Sequence, residues 1–186
     1  MVDSSTQRGR ELFADIPERN TGDVLLRTTQ QHHVSLSMMA DTKASIVITV
    51  SSIVLTLSLG RLADADLRYA VLTLDAFTLL AMLFAVLAVL PKYRPYKRTG
   101  AELPAGFNLL FMGHFAELPR ERFLVEIARS LRTDGSVYCA MANDIYSLGT
   151  YLAQHKYRYL RFAYLSFLAG FVLALLVQGW RLLFVH

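Results

Sequence analysis

Residues 44–60 read ASIVITVSSIVLTLSLG, a stretch without a single charge. An α-helix rises about 1.5 Å per residue, so about 20 residues cross a hydrocarbon layer roughly 30 Å thick. The Ser, Thr and Gly residues at the ends of the stretch can stand in the interface, which makes it long enough to cross. Two later stretches read alike. Tyr69–Leu90 carries one charge, Asp75, and Phe162–Trp180 carries none. Soluble cores rarely need apolar runs of this length. The fold expected is therefore all-α: a multi-pass membrane protein with three transmembrane helices, the first at about 44–62, the second at 69–90 and the third within 162–186.

Working outward, no Pro or Gly interrupts Asp23 to Leu59. This predicts one helix of about 37 residues, roughly 55 Å long, starting near the N-cap residues Thr21 and Asp23. Its first half projects from the membrane. Residues 1–21 are polar, of mixed charge and without an apolar core, so they read as a flexible tail rather than a signal peptide. The first span then acts as its own insertion signal. Past the second span, Pro91 opens the strip PKYRPYKRTG, with Lys92, Arg94, Lys97 and Arg98, and Lys156, Arg158 and Arg161 stand just before the third span. The Arg61–Arg68 loop holds fewer cations. Cationic flanks favour the cytoplasm, so the N-terminus and residues 91–161 are expected inside, and the C-terminus in the periplasm of a bacterial inner membrane. Tyr93, Tyr96, Tyr157 and Tyr159 would anchor one interface and Trp180 the other.

Within 91–161, Pro119 marks a helix start, and Leu124, Ile127 and Leu131 share one face of the helix that follows. Thr133–Ser136 reads as a turn. Ser136 to Val185 lacks proline, which predicts a second very long helix, part cytoplasmic and part membrane-spanning. Region 91–161 is thus a helical cytoplasmic region, and two of the three spans extend into it. The single Cys139 excludes an internal disulfide.

Chemistry-bearing patterns are sparse. HExxH, GxxxxGK[ST], GxSxG and GxGxxG are all missing, and no paired carboxylates suggest catalysis, so neither an enzyme nor a metal site is expected. His32 and His33 are adjacent and point about 100° apart on a helix, so they do not converge on a metal. His114 and Glu117 have helical spacing but no further ligand. Ser45, Thr49, Ser52 and Thr56 lie along one face of the first span. Two readings of this row stay open: a helix-packing stripe facing other helices, or a polar lining for a water-filled path. Thr78, Ala81, Ala85 and Ala88 form a small-residue face on the second span, and Ser166, Gly170 and Ala174 one on the third. Three such faces exceed what one bundle needs, which suggests a homo-oligomer. Asp75 is the single acid within a span, near enough to the boundary to reach Arg68 or water. Arg120 and Arg122 lie too far past the second span to be explained by orientation. They read either as a solvated face or as an anion site, with Phe107, Phe111, Phe115 and Tyr146 near in sequence as stacking partners.

Several local sequences become familiar together: Asp41-Thr42-Lys43-Ala44 at the first span, Asn108-Leu109-Leu110-Phe111-Met112-Gly113 after the basic strip, Asp144-Ile145-Tyr146-Ser147-Leu148-Gly149, and Lys156-Tyr157-Arg158-Tyr159-Leu160-Arg161 followed by Ala163-Tyr164. Their order around three spans, over roughly residues 22–180, resembles the PycTM family, the transmembrane effectors of Pycsar anti-phage systems. The resemblance implies a partner pyrimidine cyclase that makes cyclic UMP or cyclic CMP on infection. It implies an effector that senses this messenger and damages the inner membrane, an abortive infection. The ligand would be that cyclic nucleotide, with no other cofactor; the partners would be the lipid bilayer and further copies of the chain, and no nucleic acid. The motif residues Asp41, Lys43, Asn108, Asp144, Tyr146, Lys156, Tyr157 and Arg161 become ligand-site candidates beside Arg120 and Arg122. Two alternatives without nucleotide sensing remain: a membrane-anchored scaffold and a constitutive small channel subunit.

Overall fold

The computed structural model describes residues 20–90, 103, 107–116 and 118–184. The expected N-terminal tail, the basic strip after Pro91 and Glu117 lie outside the described residues. Among the described residues, all regular structure is helical: α1 Asn20–Leu59, α2 Arg68–Val89, α3 Met112–Phe115, α4 Arg120–Ser130, α5 Asp134–Tyr151, a π-helical turn Leu152–Lys156, and α6 Tyr157–Phe184. Three helical stretches are long and apolar enough to cross a membrane: Thr21–Leu59, Arg68–Val89 and the unbroken run Asp134–Phe184. The protein is therefore an all-α membrane protein with three transmembrane helices, two of them much longer than a bilayer requires.

Local chemistry sets the breaks. α1 ends at Gly60, where the Arg61 amide turns back to the Ser58 carbonyl. Asp64 organises the turn into α2: its side chain accepts from the Asp66 amide, and its carbonyl accepts from the Leu67 and Arg68 amides. α2 stops because Pro91 forces Leu90 into extended backbone, φ −61° and ψ 121°. The expected turn at Thr133–Ser136 is instead a helix start at Asp134. Thr133 Oγ1 accepts from the Ser136 amide while Ser136 Oγ accepts from the Thr133 amide, the reciprocal pair of a capping box.

The chain divides into two compact units, one of Met1–Ser35 with Pro91–Thr150, the other of Leu36–Leu90 with Tyr151–His186. The second is the membrane unit. Its core is built from small residues of all three helices: Ala40, Ala44 and Val47 of α1, Ala81, Ala85 and Ala88 of α2, and Leu160 and Ala163 of α6. Small side chains let helix backbones approach, and dispersion contacts then hold the helices together in lipid, where apolar burial drives little. The face expected on α2 is the one buried: Thr78, Ala81, Ala85 and Ala88. At Gly170 of α6 an added Cβ would stand 2.5 Å from Phe77 Cβ, so the two backbones meet there at glycine distance. Large apolar side chains such as Ile46, Ile53, Leu57, Leu72, Leu83, Leu168 and Leu175 point outward and are exposed, as lipid-facing positions are. Beyond the core, Arg181 of α6 reaches the turn between α1 and α2. It pairs with Asp66 at 3.1 Å, donates to the Ala65 carbonyl and lies over the Tyr69 ring.

The buried side of α1 is the row Ala40, Ala44, Val47, Ser51 and Ser58. The row Ser45, Thr49, Ser52 and Thr56 is exposed, about 140° around the axis at 100° per residue. Among the described residues no other helix of the chain covers it. On α4, the Leu124–Ile127–Leu131 face is largely exposed. No residue of α4 is buried, and Leu131 is 65% exposed. The helix is held instead by Phe123, whose ring lies 5.2 Å from that of Phe115.

Candidate functional site

In the first unit the motif residues Asn108 and Asp144 meet. Asp144 lies on α5, and Asn108 on the segment just before α3. The Asn108 side-chain amide donates to Asp144 Oδ1 at 2.9 Å, and Gln30 of α1 donates to Asp144 Oδ2 at 2.6 Å. Asn108 Oδ1 accepts from the Leu110 amide, and its own amide donates to His114 Nδ1, both at 2.9 Å. Asn108 is almost fully buried and Asp144 nearly so. The carboxyl group thus has both oxygens taken by primary amides, and the loop from 108 to 114 is folded around it. This is a closed network, which specifies one arrangement because each buried polar group already has its partner.

His114 completes the network. Its ring packs edge-on against Phe111 and tilted against Phe107, and burial lowers its pKa below the usual 6.5. Nδ1 accepts a hydrogen bond only when unprotonated, so the geometry and the burial favour the same form. The folded value is depressed, so this contribution is full above the unfolded pKa near 6.5 and is lost as pH falls through the folded value. Amide exchange in residues 107–115, corrected for intrinsic rates, is expected to be faster at pH 5 than at pH 7.5. His114→Gln should abolish the difference.

In the membrane unit another pair of motif residues meets. Lys156 Nζ contacts both oxygens of Asp41 at 2.7 Å and Ser37 Oγ at 2.9 Å. All three ammonium donors are used. Lys156 is 12% exposed and Asp41 46%, so the pair is half-solvated and its Coulomb term is screened accordingly. Tyr157 donates its hydroxyl to the Leu36 carbonyl. The π-helical turn Leu152–Lys156 directly precedes Tyr157 and itself carries Lys156.

The remaining candidates are not gathered. Tyr146 is 73% exposed. Arg120 and Arg161 are exposed, and Lys43 and Arg122 half-covered. Asp75 accepts from the hydroxyl of Ser58 on α1, at 2.5 Å. Ser52 and Thr56 turn their hydroxyls onto the carbonyls of Ile48 and Ser52 in their own helix. The residues missed in the sequence are Gln30, Ser37, Ser51 and Ser58. Ser51 and Ser58 were legible as continuations of the Ala40–Ala44 row; Gln30 and Ser37 carry no periodic mark. Among the described residues no group of His, Cys, Asp and Glu is placed to hold a metal ion.

No curated protein and no solved structure matches the chain. A family model described as the Pycsar effector protein domain, PycTM, matches residues 24–183, nearly all of the described chain and both compact units. With that match over most of the chain and three membrane-crossing helices, the chain belongs to the Pycsar effector family, the membrane effectors of cyclic-nucleotide anti-phage signalling rather than catalytic domains.

Proposed function

We propose that this protein answers a pyrimidine cyclic nucleotide, cUMP or cCMP, made by a partner cyclase, and that it responds by breaching the bacterial inner membrane so that the cell stops growing before phage are released. The observation that carries this reading is the reach of the family match: residues 24–183 take in a polar unit and a membrane unit, and α1 and the run Asp134–Phe184 contribute to both. A ligand changes the state of a membrane assembly only by binding one state better than the other. A helix that belongs to both units transmits a rotation or shift of its polar half to its membrane half by covalent continuity.

The polar unit offers the better ligand chemistry. Lys156 is already saturated by Asp41 and Ser37, so the phosphate contact falls to the exposed Arg120, with Tyr146 as the base-stacking face. A guanidinium fork suits phosphate oxygens, and an exposed aromatic ring suits a flat pyrimidine. The cation distribution along the sequence supports a cytoplasmic N-terminus and polar unit, on the side where the messenger is made. The uncovered row Ser45, Thr49, Ser52 and Thr56 supports contact with further copies of the chain, since its small hydroxyl residues suit helix packing.

The test is made in cells carrying this protein with an active pyrimidine cyclase. Membrane potential should collapse within the time that growth stops, while cells carrying the protein with a catalytically dead cyclase keep both. Arrested growth in cells whose membranes stay polarised and dye-tight would favour the scaffold reading instead.

A further inference from the structure

Inside the membrane unit, α1 and α2 are joined by a polar contact and carry further buried polar groups on their packed faces. Nearest the Gly60 end of α1, Ser58 donates to Asp75, the one acid within the three spans. About one turn further along α2, Thr78 is fully buried. About two turns back along α1 from Ser58, Ser51 is fully buried as well. The hydroxyls of Thr78 and Ser51 have no hydrogen-bond partner. The contrast with the outer face is direct. There Ser52 and Thr56 close on carbonyls of their own helix at 2.8 Å, the arrangement that makes a hydroxyl tolerable in hydrocarbon.

We propose that the α1–α2 seam is the path by which water and monovalent cations cross once the protein is activated, with Asp75 as the cation-binding carboxylate and Thr78 and Ser51 as the water-bearing groups beyond it. The inference rests on the membrane-breaching function proposed above and says where and for which ion the breach forms. A buried hydroxyl without a partner gains one as soon as water reaches it, so a slight separation of the helices is favoured by wetting there. An apolar seam would dewet instead. A carboxyl group at the head of such a path attracts cations and turns anions away. Ser58 holds Asp75 at rest, so the first motion needed is the parting of that pair.

The experiment uses the full-length protein in sealed vesicles of phosphatidylethanolamine and phosphatidylglycerol under a KCl gradient, with cUMP or cCMP added. The wild type should leak with K+ preferred over Cl− by about tenfold or more, one step of 1.4 kcal/mol. Asp75→Asn should bring that preference close to unity, and Asp75→Glu should keep it. In a Cys139→Ala background, Thr78→Cys should react with a small cationic thiosulfonate only when messenger is present, which reads the path even where Asp75→Asn assembles poorly. A wild-type leak that prefers Cl−, an Asp75→Asn leak with wild-type selectivity, or an unreactive Thr78→Cys would each overturn the seam while leaving the breach itself standing. Wild-type vesicles that stay sealed would overturn both.

Discussion

Asp144→Ala is expected to unfold the polar unit. The substitution leaves the Asn108 and Gln30 side-chain amides without their acceptor at a nearly inaccessible site. Each stranded buried donor costs about 1–3 kcal/mol, so the pair costs roughly 2–6 kcal/mol. Domains are stable by only about 5–15 kcal/mol, so a loss of this size removes much of the margin. The loop 108–114 should come loose with it, because the Leu110 amide and His114 depend on Asn108 staying in place. Limited proteolysis of the purified protein is the direct measurement. Cuts between 107 and 116 should appear in Asp144→Ala under conditions where the wild type resists, and Asp144→Asn, which keeps one acceptor, should fall between. Wild-type resistance in Asp144→Ala would mean that the network contributes nothing to folding.

The second large effect lies in the membrane unit. Gly170→Ala sets a methyl carbon about 2.5 Å from Phe77 Cβ, well inside the optimal carbon separation of about 3.5–4.0 Å. Phe77 Cβ is fixed to the α2 backbone and no rotamer moves it away. α2 and α6 must therefore separate, and the contacts of Ala81, Ala85 and Ala163 weaken together. Overpacking of this kind costs about 1–3 kcal/mol, read as a lowered unfolding temperature in detergent. The geometry makes a sharper statement about rescue. Phe77→Ala leaves the offending carbon in place and should not restore Gly170→Ala, whereas Phe77→Gly should recover part of the loss. Rescue by Phe77→Ala would show that the aromatic ring, not the backbone approach, sets the packing.

These two sites also mark how far the sequence reaches. The spans and both long helices follow from uncharged stretches and from the absence of Pro and Gly, because both are local properties. The α2 face Thr78–Ala81–Ala85–Ala88 was legible because it is the single small-residue row on that helix. α1 carries two such rows, Ala40–Ala44–Ser51–Ser58 and Ser45–Thr49–Ser52–Thr56, each at helical spacing. Periodicity reveals that a face exists but not which of two faces packs; backbone approach to α2 decides that, and it is a tertiary quantity. The pairing of Asn108 with Asp144 and of Asp41 with Lys156 joins residues 36 and 115 positions apart. No local pattern encodes such pairs, which is why the sequence marks these residues but not their partners. The π-helical turn at Leu152–Lys156 left no trace either, since no Pro or Gly marks it.

The central claim is that a pyrimidine cyclic nucleotide, acting on this chain alone, breaks the seal of a bilayer. Purified full-length protein in vesicles loaded with a self-quenched dye and with a potential-sensitive probe tests it with no other cell component present. The account predicts loss of the imposed potential on adding cUMP or cCMP and none on adding cyclic AMP or the linear monophosphates. Vesicles that hold their potential and their dye at saturating cUMP and cCMP, with the protein shown to be folded and bound to nucleotide, would contradict it.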